Sequence, residues 1–136
     1  MKDSVLILEG NPIDLGIVLH ILKDDYECDT ARTYRDAIKL IKEKHYSAII
    51  VDFYLESGVD SRALKSIEQL RTHTNGSVFI VCSGNEDIVE STEISNIDAF
   101  ICKKRMAIIP DRLKQISRSK KEVYEKFNIF STLVTK

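Results

Sequence analysis

Four residues of this 136-residue chain follow short apolar runs and carry groups able to do chemistry together. Glu9 follows Val5-Leu6-Ile7-Leu8, and Asp52 follows Ala48-Ile49-Ile50-Val51. Ser83 follows Val78-Phe79-Ile80-Val81-Cys82, and Lys103 follows Ala99-Phe100-Ile101-Cys102. Two acids, a hydroxyl and an amine suit acyl phosphate chemistry. A carboxylate can act as the nucleophile toward a phosphoryl group. The phosphoryl group is already anionic, so attack on it needs positive charge, which Mg²⁺ and a lysine supply. Mg²⁺ prefers hard oxygen ligands such as carboxylates and water. A neighbouring hydroxyl can bond the new phosphoryl oxygens, and the phosphate then pulls its surroundings into another arrangement.

These groups can meet only if the four runs are strands whose carboxyl ends share one edge, where open α/β sheets bind ligands. The stretches between them have the matching character. Pro12 sits early in a helix that Ile13, Ile17, Leu19, Ile21 and Leu22 continue at helical spacing. A weak strand covers Glu27 to Thr30, and a helix runs from Tyr34 to Lys44 with Ala37, Ile38, Leu40 and Ile41 inward. The run ending at Asp52 is apolar on both faces, as expected of a central parallel strand covered on both sides. Further helices are expected over Val59 to Arg71 and Glu86 to Ile94, with Asn75-Gly76 as a turn and Pro110 opening a last helix. Strands alternating with helices imply an α/β fold, a doubly wound five-stranded parallel sheet flanked by five helices.

The succession Val-Leu-Ile-Leu-Glu-Gly-Asn-Pro, Ala-Ile-Ile-Val-Asp, Phe-Ile-Val-Cys-Ser-Gly and Ala-Phe-Ile-Cys-Lys resembles the response-regulator receiver (CheY-like) family from about Ser4 to Ser119. The resemblance implies the flavodoxin-like strand order 2-1-3-4-5. It implies Asp52 as phosphoacceptor, with Lys103 contacting phosphate and Ser83 as the switch hydroxyl. Phe100 falls at the aromatic position that reorients on activation. For Mg²⁺ it implies Glu9, Asp52 and the backbone carbonyl of Tyr54. It also implies a signalling switch rather than an enzyme, charged by a histidine kinase or phosphotransfer protein. The chain departs from the family at Gly10, where a second acid is usual, and at Glu56 and Lys104, where prolines are usual. Gly10 removes a carboxylate and weakens the Mg²⁺ site. The alternative reading is a degenerate receiver that acts through protein contacts without phosphorylation. A flavodoxin-like enzyme is disfavoured, because the loop after the first strand lacks a hydroxyl-rich or Gly-rich phosphate cradle.

A net charge of -1 argues against a global field for nucleic acid or acidic membranes. Between Lys103 and Lys126, nine Lys or Arg stand against three acids, which reads first as a solvated helix face. Cys28, Cys82 and Cys102 are odd in number and widely spaced, so they read as small buried hydrophobes in a reducing compartment. No apolar segment is long enough for a signal peptide or a membrane span, and the expected location is cytoplasmic. Residues 1–122 are expected to form the receiver domain. Residues 123–136 form an apolar C-terminal extension carrying Phe127, Ile129, Phe130, Leu133 and Val134. This extension either lengthens the last helix or meets a partner, whether a second copy or an output domain.

Overall fold

A computed structural model of the protein describes residues 1–52, 61–74, 76–84 and 97–135. Five strands, β1 (Asp3–Leu8), β2 (Tyr26–Ala31), β3 (Ala48–Asp52), β4 (Val78–Ser83) and β5 (Ala99–Cys102), form one parallel sheet in the order β2-β1-β3-β4-β5. Helices α1 (Pro12–Leu22), α2 (Tyr34–Glu43) and α3 (Ser61–Thr72) alternate with the strands. After β5 a 3-10 helix (Lys103–Ile108) leads into the long α4 (Ile109–Thr135). The α/β class and the strand order 2-1-3-4-5 are those expected. The helix expected over Glu86 to Ile94, Tyr54 and Glu56 lie outside the described residues.

The unbroken apolar runs of β1, β3 and β4 arise because alternate residues feed different cores. Val5, Ile7, Ile50, Ile80 and Ile101 face Val18 and Leu22 of α1 and Ile109 and Leu113 of α4. Leu6, Leu8, Ile49, Val51, Phe79 and Val81 face Ala37 of α2 and Ile67 and Leu70 of α3. With both faces covered, a polar group at a strand's carboxyl end can project only past the rim.

Two expectations need correction. In α1, Ile13 and Ile17 are exposed, and the buried residues are Val18 and Leu22, with Leu15, Leu19 and Ile21 partly covered. This helix is apolar nearly all round, so its spacing alone does not select the face that meets the sheet. Among the cysteines only Cys82 is buried. Cys28 and Cys102 are half-buried, since β2 and β5 are the edge strands.

The pole opposite the strands' carboxyl ends is fastened by Asp98. Its carboxylate accepts the Phe79 N–H (2.8 Å) and pairs with Arg71 of α3 (3.5 Å) and Lys120 of α4 (3.2 Å). Arg71 also lies over the Phe79 ring and donates to the Ser77 carbonyl (2.7 Å). Gly76, at φ 93°, supplies the left-handed backbone that turns the chain into β4.

Candidate functional site

The loop after β1 is built by its own side chains. Asn11 caps α1, its Oδ1 accepting the N–H groups of Ile13 (2.9 Å) and Asp14 (3.3 Å), while Pro12 occupies the first turn, where no N–H is needed. The Asn11 N–H in turn donates to Glu9 Oε1 (3.0 Å), which fixes the Glu9 carboxylate over the strand ends. Arg32, just past β2, donates to the Gly10 carbonyl (2.9 Å) and holds the loop from the other side.

Asp52 is the last residue of β3 and stands in register with Cys82, so Ser83 lies one residue further along the adjacent strand. Glu9, Asp52 and Ser83 are all buried, at 4%, 5% and 0% exposure. Lys103, the first residue after β5, crosses β4 and β3 to reach this edge. Its Nζ lies 3.3 Å from Asp52 Oδ2, 3.2 Å from Glu9 Oε1 and 2.8 Å from Asp14 Oδ2. The structure thus joins Glu9, Asp52 and Lys103 in one ionic cluster and puts Ser83 on the same rim. Phe100 is half-buried on β5 and packs with the α2 and α3 face of the core. Tyr54 lies outside the described residues.

Electrostatics inside the cluster is one-sided, with three carboxylates facing one ammonium. Burial is the main reason the Glu9 carboxyl rises from its ordinary 4.5 to about 7. The Asn11 N–H opposes that rise, the Asp52 carboxylate adds to it, and the Lys103 charge opposes it. For Lys103, burial works against the charged form. The hydrogen bond to Asp14 and the charges of Asp52 and Glu9 overcome it, so the amine is held well above its usual range. A proton entering this pocket near neutrality therefore goes to Glu9, while Lys103 keeps its charge. Beside them, burial pushes the Cys82 thiol up to about 12, which leaves it inert.

Asp14 is not among the residues that the sequence singles out. The available signal was an acid in the first turn of a helix that starts three residues after Glu9. Such a turn must sit above the strand ends. Arg32 carried no comparable signal, because its contact is with a backbone carbonyl.

No protein-family model and no curated protein matches the chain. Solved structures do. A chain described as adenylate cyclase from Rhodopirellula baltica superposes with a TM-score of 0.76 at 21% identity, covering 96% of this chain and 98% of that one. A response regulator from Thermotoga maritima gives 0.73 at 18% identity, covering 87% and 99%. A response regulator protein from the same organism, in complex with Mg²⁺ and BeF, gives 0.70 at 18% identity, covering 85% and 99%. The chain has the receiver-domain fold. In this receiver fold, the residues following β1, β3, β4 and β5 converge on one edge, which accounts for the position of the cluster. Among the described residues, no helix is long and apolar enough to cross a membrane. Among the same described residues, no group of three or more His, Cys, Asp or Glu side chains is arranged to hold a metal ion by itself.

Proposed function

We propose that the protein is a response-regulator receiver domain that accepts a phosphoryl group on Asp52. The observation that carries this reading is the Lys103 ammonium 3.3 Å from the Asp52 carboxylate at a buried strand end. In the step envisaged, an Asp52 carboxylate oxygen forms a bond to phosphorus as the donor's P–N bond breaks, and the leaving nitrogen takes up a proton. Lys103 supplies fixed positive charge to the phosphoryl oxygens. Ser83, one residue past the acceptor on the next strand, supplies the hydroxyl that bonds them afterwards. Phe100 is the aromatic side chain proposed to reorient with it.

Hard carboxylate oxygens at Glu9 and Asp52 would suit Mg²⁺, whereas the Tyr54 carbonyl that the resemblance adds lies outside the described residues. When bound, Mg²⁺ supplies charge neutralisation to the transferring phosphoryl group. Gly10 contributes no carboxylate, so the affinity is expected to be weak. The donor is a histidine kinase or phosphotransfer protein in the cytoplasm. Ile13 (73% exposed) and Ile17 (42%) give such a donor an apolar footing on α1, the helix that carries Asp14 into the pocket.

Incubation of the full chain with a small phosphodonor and Mg²⁺ should add one phosphoryl group to the intact mass, and Asp52→Asn should abolish it. A folded chain that takes up no phosphoryl group at any Mg²⁺ concentration would favour the second reading, a degenerate receiver. The specific observation behind that reading is a pocket with Gly10 at its second position and a lysine already engaged by three carboxylates.

The proposed partner through the C-terminal helix is a second copy of this chain. Ile109, Leu113, Ile116, Lys120, Val123 and Phe127 recur at alternating spacings of four and three, and the sequence carries the pattern on to Phe130 and Val134. A 3.5-residue repeat is the pattern of a two-stranded seam. Ile109 and Leu113 bury theirs against the sheet, but Val123 and Phe127 are exposed. They border a groove of about 600 Å³. Lys120, the one polar member, is tied to Asp98 at 3.2 Å, so the free seam begins one turn later.

A further inference from the structure

The Lys103 ammonium donates hydrogen bonds to Asp14 (2.8 Å) and Glu9 (3.2 Å) and pairs with the Asp52 carboxylate at 3.3 Å. Phosphorylation turns the Asp52 carboxylate into an acyl phosphate and so vacates that ion pair, but a second N–H of the amine can turn to the phosphoryl oxygens only if Glu9 or Asp14 is given up. These two acids differ in what that release would cost. The Asp14 side chain is 23% exposed, whereas those of Glu9 and Asp52 are 5% and 6% exposed. Wherever Glu9 is ionised, releasing it would leave a buried carboxylate without its counter-charge, a costly state. A freed Asp14 meets water. It also stays in the first turn of α1, with its own N–H on the Asn11 cap, where the helix N-terminus favours negative charge.

We infer that Asp14 is a positioning residue: it holds the Lys103 ammonium in the unmodified pocket and is the partner that Lys103 releases to a phosphoryl group on Asp52. This inference rests on the reading of Asp52 as the acceptor. The closest contact of the resting amine is with Asp14 rather than with the acceptor, so the latch delays the lysine's engagement with incoming phosphate. Asp14 also adds a negative charge beside the path of an anionic donor. Both effects have the same sign: removing the carboxylate should speed phosphoryl uptake.

The test uses the full chain with Asp14→Asn and Asp14→Glu. In the unphosphorylated protein, labelling of Lys103 by an amine-reactive ester is followed by peptide mass at fixed pH. Asp14→Asn should accelerate it on the order of three- to tenfold, the worth of one charge-assisted hydrogen bond at a partly exposed pair. Asp14→Glu should restore protection, which a merely structural role would not produce. Acyl phosphate formation from a small phosphodonor with Mg²⁺ should quicken in Asp14→Asn by a similar factor. Unchanged Lys103 labelling overturns the inference even if Asp52 is phosphorylated normally. Faster labelling with slower phosphorylation also overturns it, because Asp14 would then be assisting the transfer. Faster labelling in a chain that never forms acyl phosphate supports the resting contact and sinks the phosphoacceptor reading instead.

Discussion

Replacing Glu9 with glutamine should stabilise the protein at alkaline pH, and the gain should fade on acidification. Burial disfavours the ionised carboxyl in the folded state and raises it from 4.5 to about 7, with the nearby Asp52 carboxylate adding to the effect. Between those two values the native state binds the proton that the unfolded state has lost, so stability falls as pH rises through this window. Below about 4.5 the carboxyl is neutral in both states and contributes no penalty. Above about 7 the full penalty is present. At about 1.4 kcal/mol per pH unit, the span amounts to roughly 3 kcal/mol. The substituted amide mimics the protonated side chain and keeps an acceptor for the Asn11 N–H and the Lys103 amine. Urea unfolding of Glu9→Gln and wild type, run in parallel from about pH 5 to about pH 8.5, should give a difference of about 3 kcal/mol at the alkaline end. That difference should shrink to below about 1 kcal/mol at the acidic end. A glutamine variant less stable than wild type at the alkaline end would refute the reasoning, because Lys103 would then be compensating Glu9 fully. A pH-independent difference would refute it equally.

Two further outcomes are expected. Phe127→Glu puts a charge into the free seam of α4 and should shift the full chain from dimer to monomer in sedimentation velocity at micromolar concentration. A wild-type chain that is already monomeric there removes the seam as an interface between copies. Asp98→Ala strips the acceptor from the Phe79 N–H and the counter-charge from Arg71 and Lys120. It should cost about 2 to 3 kcal/mol in denaturant unfolding, the range for orphaning a buried donor and a largely buried cation.

Legibility in the sequence followed the pleat. β1, β3 and β4 are buried on both faces, so their apolar runs are continuous and end abruptly at the first residue past the sheet. That boundary is why Glu9, Asp52, Ser83 and Lys103 could be read as one edge. The edge strand β2 was found only as a shorter weak strand, because half of it is wet and its residues, Tyr-Glu-Cys-Asp-Thr-Ala, alternate imperfectly. α1 gave its position through Asn11-Pro12 but not its orientation, since a helix apolar nearly all round has no preferred stripe until the sheet selects one. Asp14 escaped for a different reason. Its role depends on the direction of α1's first turn relative to Lys103, 89 residues away, and no local pattern encodes that.

The charge balance of the pocket sets two demands against each other. Three ionised carboxylates around one ammonium attract a divalent cation and repel a phosphoryl donor, each by amounts of order kcal/mol at these separations. A proton on Glu9 reduces the repulsion but also weakens a proposed metal ligand. With Glu9 titrating at about 7, the two demands cross near neutrality. In a pocket with a carboxylate rather than Gly10 at its second position, extra negative charge would hold the cation more firmly and deepen the repulsion in its absence. Here the cluster is balanced more nearly by its own lysine. On the proposed reading, therefore, Mg²⁺ should accelerate phosphoryl uptake less than the loss of Lys103 slows it.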